Sequence, residues 1–354
     1  MTTKCRKCEL LPCIPEDPSQ IFFLTAHPLL SQKLKDFLKT QKVDYQDLEE
    51  GILCQVQNPR AFLNNLKNEL NLSEPELKDI SLVILDPHEM LSFKHFRDLR
   101  PLVTWYELLD AAEYLEVLEN NRLTVYFHPI VDKDFNVVGQ ECLVRGVRSD
   151  GSIIPPAFLF EKAEKTQTLF FLDRACREVS IKTAAIKGLR DELVFINFIP
   201  TSIYDPRFCL QTTIKWAYQL EFNPSNVIFE VVESQKVSDI RHLSNILEYY
   251  KANGFRVALD DVGTGYSSLE MLVNLRPNFI KIDREIVRDI HHDPLRQSIV
   301  KALVQICREN DILLLAEGIE KEEEFSYLKD MVDYFQGFYF AKPNPEPIRK
   351  LPRA

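Results

Sequence analysis

Glycine is scarce in this sequence and very unevenly placed. The 354 residues include ten glycines, and Gly51 is the single one before residue 139. This shift in composition indicates two units, which we place at residues 1–112 and 113–354. Apolar residues recur at helical spacing over 105–121, so we expect a helix at the junction rather than a flexible linker.

Long apolar runs and a basic surplus are also missing. No stretch of 18 apolar residues occurs, so no membrane span is expected, and the start lacks the basic and apolar segments of a signal peptide. A net charge of −10 disfavours a surface that binds DNA or RNA polymers. The eight cysteines are scattered and several lie in apolar stretches, which favours buried thiols in a reducing cytoplasm over a disulfide framework.

The first unit alternates short strand and helix patterns and holds no motif that we can tie to chemistry. Strands are expected at 21–25, 51–56 and 80–85, with helices at 28–39 and 59–70. These elements predict a small α/β or α+β domain.

Three cysteines lie close together near the start of the chain. Cys5, Cys8 and Cys13 form C-x2-C-x4-C, which is compatible with a zinc site completed by Cys54 or His27, or with a redox-sensing thiol cluster. A closed zinc site needs four ligands, and free thiols in a terminal segment are the alternative interpretation. A metal or redox site here would make residues 1–112 a sensory and regulatory domain.

The second unit has the pattern of a closed barrel. Apolar runs rich in strand formers alternate with amphipathic helical stretches, which predicts a parallel sheet buried on both faces. Eight such runs in about 240 residues is the size of a TIM-like (β/α)8 barrel. The link 132–136 is too short for a crossover, so the first two strands should form an antiparallel hairpin. The predicted strands are 123–131, 138–145, 193–199, 227–232, 255–259, 279–282, 312–315 and 334–340.

Polar side chains collect at the ends of these predicted strands, where a barrel places its active site. Asp260 and Asp261 end the fifth strand and precede a glycine-rich turn, an arrangement that can hold two divalent cations. Buried carboxylates are costly unless they are paired or bound to metal. Carboxylates and an amide oxygen suit Mg²⁺ or Mn²⁺, and the lack of histidine or cysteine partners argues against zinc. The other residues of this set are Glu141, Asn197, Glu230, Glu233, Lys281, Asp283, Glu317 and Gln336.

Seven short motifs follow one another along this unit. They are Glu-Cys-Leu at 141–143, Asn-Phe-Ile at 197–199, Glu-x-x-Glu at 230–233, Asp-Asp-Val-Gly-Thr-Gly-Tyr-Ser-Ser at 260–268, Lys-Ile-Asp at 281–283, Glu-Gly-Ile-Glu at 317–320 and Gln-Gly-Phe at 336–338. In this order and spacing they resemble the EAL-domain family, the bacterial cyclic di-GMP-specific phosphodiesterases, over about residues 113–354. No cyclase-like Gly-Gly-Asp-Glu-Phe motif accompanies them.

The resemblance implies two Mg²⁺ or Mn²⁺ ions per active site and hydrolysis of cyclic di-GMP to linear pGpG. Glu141, Asn197, Glu230 and Asp260 would hold one ion. Asp260 would also bridge to the second ion with Asp261, and water between the metals would attack the phosphate.

The resemblance also implies roles for the remaining polar residues. Lys281 would orient or deprotonate the water with help from Glu317, and Gln336 would position metal-bound water. Arg145, beside Leu143, would contact a substrate phosphate, and Asp283 would support the substrate site. Glu233 would anchor the glycine-rich loop, which in this family links metal binding to formation of a homodimer.

Three of the departures from the family pattern bear on the site. Cys142 replaces alanine, Ile199 replaces serine, and His128 stands where glutamine is frequent. The resemblance implies that this position faces the substrate region, so the change to His128 would bear on affinity, although a structural substitution is the simpler interpretation.

Two other functions compete with the enzyme. One is a catalytically silent cyclic di-GMP receptor that signals through a protein partner, and the other is an interaction module without ligand or activity. Every expected metal ligand, together with Lys281 and Glu317, is retained, which favours the enzyme.

Overall fold

The protein is described by a computed structural model that covers residues 11–232, 239–262 and 268–351. The chain divides into two compact units. The first comprises residues 1–120 with Ala157–Phe171, and the second comprises Asn121–Pro156 with residues 172–354. No helix within the described ranges is both long and apolar enough to span a membrane.

The first unit contains a five-stranded antiparallel sheet in the order β2-β3-β1-β4-β5. Asn58 caps one of its helices, since its Oδ1 accepts a hydrogen bond from the Ala61 backbone at 2.8 Å. Phe22, Val83 and Leu85 form a buried cluster on the sheet. The antiparallel sheet together with its helices makes the predicted small domain α+β. The strands are β1 Ser19–Leu24, β2 Tyr45–Leu48, β3 Gly51–Val56, β4 Ser81–Leu85 and β5 Arg100–Pro101, with helices α1 Pro28–Thr40, α2 Pro59–Glu69 and α3 Glu74–Asp79.

The predicted junction helix is two helices rather than one. Helix α4 spans Leu102–Asp110 and helix α5 spans Ala112–Glu119. Ala111 between them leaves helical geometry, with φ −102° and ψ 20°. Apolar spacing continues across this break, so the sequence pattern alone does not reveal it.

The second unit is a closed barrel of eight strands, as predicted. Seven strands run parallel, and β6 runs antiparallel to both of its neighbours, β7 and β14. The strands are β6 Leu123–Val131, β7 Val137–Val147, β9 Leu193–Phe198, β10 Val227–Val232, β11 Arg256–Val262, β12 Phe279–Ile282, β13 Leu313–Ala316 and β14 Tyr334–Phe335, and the short β8 Ile153–Ile154 pairs outside the barrel with β7.

Helices connect the barrel strands, as a parallel order requires. The remaining helices are α6 Pro156–Lys165, α7 Leu169–Ile186, α8 Pro206–Cys209, α9 Gln211–Gln219, α10 Ile240–Ala252, α11 Ser268–Leu275, α12 Arg284–Val287, α13 Pro294–Glu309 and α14 Glu322–Leu328. Short 3-10 helices lie at Phe93–Arg97, Pro200–Ser202, Pro224–Asn226 and Ile290–His292.

An apolar layer fills the barrel interior below the polar residues. Phe195 and Phe279 meet edge to face with ring centroids 5.2 Å apart, and both are fully buried. This layer excludes water from one side of the polar residues above it. Its members are Ile130, Phe195, Ile228, Ala258, Phe279 and Leu315.

The last barrel strand is shorter than predicted. The sequence pattern indicates a strand over 334–340, whereas β14 ends at Phe335. Gly337 packs closely against the loop that follows β13, so that an added Cβ would lie 2.1 Å from the Ile319 carbonyl oxygen. The chain then turns, with the Phe340 backbone donating to the Gly337 carbonyl, so the apolar residues beyond 337 are not part of a strand.

Candidate active site

Seven neighbouring strands each bring one polar side chain to the same end of the barrel. Because parallel strands all point the same way, residues at their carboxyl ends meet at one lip. The strand register places Asn197 directly beside Glu230. In strand order the residues are Glu141 on β7, Asn197 on β9, Glu230 on β10, Asp260 on β11, Lys281 on β12, Glu317 after β13 and Gln336 after β14.

Lys281 lies at the centre of this group. Its Nζ is 2.6 Å from Glu317 Oε1, 2.7 Å from Glu230 Oε1, 3.2 Å from Asp260 Oδ2 and 3.8 Å from Glu141 Oε1. Burial by itself would lower the pKa of Lys281, but the surrounding carboxylates raise it well above its usual range. One ammonium thus faces four carboxylates in a site that is almost closed to water.

Glu230 is the most deeply buried carboxylate of the group. It is fully buried, and among the described residues neither of its oxygens accepts a hydrogen bond, since the close approach of Lys281 lacks hydrogen-bond geometry. Burial, with repulsion from neighbouring carboxylates, raises the pKa of Glu230 well above its usual range. A buried carboxylate that has an ion pair but accepts no hydrogen bond is the state expected of a metal ligand.

Glu141 is held by two amides from distant parts of the chain. Asn197 Nδ2 donates to its Oε1 at 3.2 Å, and Gln336 Nε2 donates to its Oε2 at 3.0 Å. Burial would raise the pKa of Glu141, but Lys281, His128 and these two amides together lower it. The ionised carboxylate is therefore the favoured form of Glu141.

The two adjacent aspartates reach one site because the strand is irregular there. Asp261 has a left-handed backbone with φ 56°, and the pairing of β11 with β12 shifts register between Leu259 and Val262. In a regular strand the two side chains would point to opposite faces. Here one oxygen from each of Asp260, Asp261 and Glu317 lies within 4.8 Å of the others.

The pKa values of Asp260, Asp261 and Glu317 are all raised, because the three carboxylates are buried close to one another. Burial, together with the nearby carboxylates Asp260 and Asp283, raises the pKa of Asp261 to about 6. Burial likewise raises the pKa of Asp260 and, more strongly, that of Glu317. The crowded carboxylates hold protons more tightly than usual and would be stabilised by cations.

The donor set fits two divalent cations. Glu141, Glu230, Asp260, Asp261 and Glu317 carry a formal charge of −5 when ionised, and one lysine leaves −4, which two divalent ions balance. Carboxylate and amide oxygens are ligands for hard cations such as Mg²⁺ and Mn²⁺. Neither a thiolate nor an imidazole belongs to the trio, so the site does not resemble a zinc centre.

Three predicted substrate-side residues lie at the edge of this group. Glu141, Leu143 and Arg145 are every second residue of β7, so all three side chains lie on one face of the strand. The Arg145 guanidinium lies over the Tyr126 ring at 5.5 Å from its centroid, and its Nη1 donates to the Val144 carbonyl. Asp283 caps helix α12, since its Oδ1 accepts from the Glu285 backbone at 2.7 Å.

The structure gives a local account of the three departures. His128 lies opposite Glu141 on β6, its Nε2 is 3.1 Å from the Ala341 carbonyl oxygen, and burial lowers its pKa. Burial raises the pKa of the Cys142 thiol well above its usual range, which makes that thiol inert. At Ile199 the backbone N–H donates to Asp173, so the missing serine leaves this amide satisfied.

The N-terminal cysteines give no support to a zinc site. Cys5 and Cys8 lie outside the described residues, and Cys13 is exposed. Of the proposed fourth ligands, Cys54 is buried in the sheet with its pKa raised to about 12 by burial, and His27 caps helix α1. Glu233, the predicted loop anchor, also lies outside the described residues.

The sequence analysis missed one buried charged pair next to this site. Asp173 and Arg177 lie on α7, are 2% and 1% exposed, and approach to 2.8 Å between Oδ2 and Nη2. An Asp and an Arg four residues apart usually form an exposed helical pair. Their position between Leu172, Cys176 and Ile181 on the apolar face was the available signal.

Comparison with known proteins identifies the family of the barrel. A model of the EAL domain family matches residues 111–343 of the chain. Cyclic di-GMP phosphodiesterase PdeR of Escherichia coli (strain K12) is 31% identical over 235 residues, which are 65% of this chain and 35% of PdeR. The chain thus matches well under half the length of this relative.

Solved structures of other proteins have the same barrel fold. A standalone versatile EAL protein from Vibrio cholerae O395, in its c-di-GMP-bound form, has a TM-score of 0.58 at 36% identity and covers 65% of this chain and 95% of its own. The manganese and cy-diGMP complex of Klebsiella pneumoniae BlrP1 has a TM-score of 0.57 and covers 92% of this chain and 96% of its own. At 21% identity, BlrP1 supports the fold alone.

Proposed function

The chain belongs to the EAL domain family, and on that premise we propose that it hydrolyses cyclic di-GMP to linear pGpG with the help of divalent cations. One observation carries the proposal. Carboxylates from four different strands surround Lys281 in the barrel mouth, and the fully buried Glu230 among them has no hydrogen bond from the described residues. A barrel stabilised only by packing would gain nothing from this arrangement.

The carboxylates and the amide of Asn197 are the proposed cation ligands. Glu141, Asn197, Glu230 and Asp260 would hold one ion, and Asp260 with Asp261 would hold the second. Two Mg²⁺ or Mn²⁺ ions here would supply the charge that lowers the pKa of a water molecule and neutralises the phosphate. The side-chain amide of Asn197 must turn its oxygen toward an ion, exchanging the present donor contact to Glu141 for coordination.

The remaining residues act on water and substrate. Lys281, which the surrounding carboxylates keep as an ammonium, orients the attacking water, and Glu317 at 2.6 Å holds that ammonium in place. Gln336 fixes Glu141 and a neighbouring water, Arg145 binds a phosphate oxygen, and Asp283 supports the substrate side. The water oxygen bonds to phosphorus, one P–O bond of the ring breaks, and a proton reaches the leaving ribose oxygen.

The test is chromatography of cyclic di-GMP after incubation with the purified full chain. We expect pGpG in the presence of Mg²⁺ or Mn²⁺ and none in EDTA. Glu141→Ala and Lys281→Ala should abolish the product, whereas Glu309→Ala, an exposed carboxylate on α13, should retain it. Direct measurement of nucleotide binding by the same samples completes the design.

The outcomes separate the competing functions. Retained turnover in Glu141→Ala would show that the assigned site is wrong. Tight nucleotide binding without product in every metal condition would instead identify a cyclic di-GMP receptor. Neither binding nor product would leave an interaction module as the better interpretation.

The proposal includes two features that lie outside the barrel mouth. Residues 1–112 would regulate the barrel of residues 113–354, which is supported by their separate antiparallel sheet and core. Two barrels would pair as a homodimer, as the family resemblance implies. Sedimentation of the full chain with and without cyclic di-GMP and Mn²⁺ tests the pairing, and a monomer in all conditions would refute it.

A further inference from the structure

A buried carboxylate on helix α7 reaches the end of the strand that carries Asn197. Asp173 is 2% exposed, and its Oδ1 accepts a hydrogen bond from the Ile199 backbone N–H at 2.7 Å. Ile199 is the first residue after strand β9. Asp173 therefore bonds to the chain two residues beyond Asn197.

The pairing of β9 extends further on its β10 side than on its β7 side. Pairing of β9 with β7 ends at Ile196, opposite Cys142, one residue before Asn197. On the other side, pairing with β10 ends at Phe198. On the β7 side the Asn197 side chain donates to Glu141 at 3.2 Å.

The contacts around Asp173 divide between its two oxygens. Arg177 donates twice to Oδ2, from Nη2 at 2.8 Å and from Nε at 3.1 Å. The Ser202 hydroxyl oxygen lies 2.6 Å from Asp173 Oδ2 and 2.7 Å from the Ile199 carbonyl oxygen. Its single hydrogen can be donated to only one of these two acceptors at a time. Oδ1 is thus left for the Ile199 amide, while Oδ2 is occupied by Arg177 and Ser202.

Arg177 fixes the carboxylate in turn. Its Nη1 donates to Thr213 Oγ1 on α9 at 2.5 Å, so the guanidinium is held from the side opposite Asp173. The Ile199 carbonyl also accepts from the Ser202 backbone at 3.0 Å. Both backbone groups of Ile199 are therefore bound by groups that lie outside the barrel sheet.

We propose that Asp173, held by Arg177, is a positioning residue that sets the direction of the Asn197 side chain toward Glu141 and the cation site. The inference rests on the proposed function, because it assigns Asn197 to a cation. Loss of the Ile199 bond would free the end of β9 to rotate and would move the Asn197 oxygen away from its ligand position. Groups that orient metal ligands in this indirect way affect metal affinity strongly.

The test measures Mn²⁺ binding by the full chain directly, from the electron paramagnetic resonance signal of free Mn²⁺, without nucleotide. In Asp173→Asn the amide cannot satisfy the Ile199 N–H and Arg177 together. In Asp173→Ala combined with Arg177→Met both charges are removed, so neither is left buried and unpaired, and this variant should fold even where the first does not. We expect the half-saturating Mn²⁺ concentration to rise about 10- to 100-fold in both.

Glu178→Gln is the matched control. It removes the charge of another carboxylate on α7, which pairs with Arg174 Nε at 2.9 Å, and it keeps both Arg177 and the Asp173 bond to Ile199, so Mn²⁺ binding should stay at the wild-type level. Circular dichroism and the melting temperature establish that each variant is folded.

Several results would overturn the inference. A folded double variant that binds Mn²⁺ like the wild type would do so, as would a Glu178→Gln variant that binds as weakly as Asp173→Asn. Wild-type protein that binds no Mn²⁺ would overturn it together with the cation assignment. Wild-type protein that binds Mn²⁺ but forms no pGpG would refute the proposed function alone, and weaker binding in the Asp173 variants would still support the inference.

Discussion

Replacing Lys281 by methionine should destabilise the barrel in the absence of divalent cations. The side chain is 1% exposed, and its Nζ lies between 2.6 and 3.8 Å from oxygens of four acidic residues. At an effective dielectric constant of about 20, each such pair attracts by about 4–6 kcal/mol before desolvation is subtracted. Methionine keeps most of the volume but leaves the carboxylates without a cation.

The expected loss in the free energy of unfolding is much smaller than the summed attraction of these ion pairs. Removal of one partner from a buried charged group typically costs about 3–5 kcal/mol, because unpaired charge remains in the interior. For a domain of the size of this barrel, that loss lowers the melting temperature by about 6–20 °C. Protonation of some carboxylates will move the result toward the lower end, since their pKa values are already raised.

Divalent cations should reverse this loss. Methionine removes the ammonium that competes with an incoming ion, so Lys281→Met should bind Mn²⁺ at least as tightly as the wild type while being inactive. Mn²⁺ at about 100 times its dissociation constant contributes about 2.7 kcal/mol per site. The variant should therefore regain most of its melting temperature in Mn²⁺.

The assay is differential scanning calorimetry of the full chain in EDTA and in Mn²⁺, with Lys301→Met as control. Lys301 is exposed on α13, where such a change is expected to alter stability by about 0.5 kcal/mol or less. Equal melting temperatures for the two variants in EDTA would refute the view that Lys281 neutralises the buried carboxylates. Failure of Mn²⁺ to stabilise either the wild type or Lys281→Met would refute the cation site.

Three further predictions address other features of the chain. Asp261→Gly should abolish metal-dependent pGpG formation in the chromatographic assay without lowering the melting temperature, because glycine adopts the left-handed backbone with less strain; a lower melting temperature would contradict this. Gly337→Ala should destabilise the barrel by about 1–3 kcal/mol in urea titration, because its Cβ would clash with the Ile319 carbonyl; wild-type stability would show that the loop adjusts freely. In the native protein iodoacetamide should modify exposed Cys13 rapidly and buried Cys54 hardly at all, as read by mass spectrometry, and equal rates would exclude the buried position of Cys54.

The periodic pattern of the sequence determined most of the fold. Strands 123–131, 227–232 and 279–282 were predicted at their observed bounds, because apolar runs buried on both faces alternate with helical spacing. The short link 132–136 was enough to predict the hairpin, since no crossover fits in five residues. The same reasoning failed at 334–340, where a close approach of the chain to Ile319 ends the strand.

The sequence by itself also determined which residue types stand at the barrel lip. Acids and amides at the ends of successive strands follow from the order of the motifs, and no structure was needed to list them. The N-terminal cysteines could not be resolved in this way, because their spacing is compatible with several kinds of chemistry.

Tertiary structure alone decided how these residues meet. Closure of the barrel brings Gln336 to within 3.0 Å of Glu141, although 195 residues separate them along the chain. The left-handed backbone at Asp261 depends on the irregular pairing of β11 with β12, which periodicity does not encode. The bond from Asp173 to the chain beyond Asn197 requires α7 to pack against the end of β9. Sequence periodicity specifies which face a residue occupies, whereas contact distances depend on register and packing between distant segments.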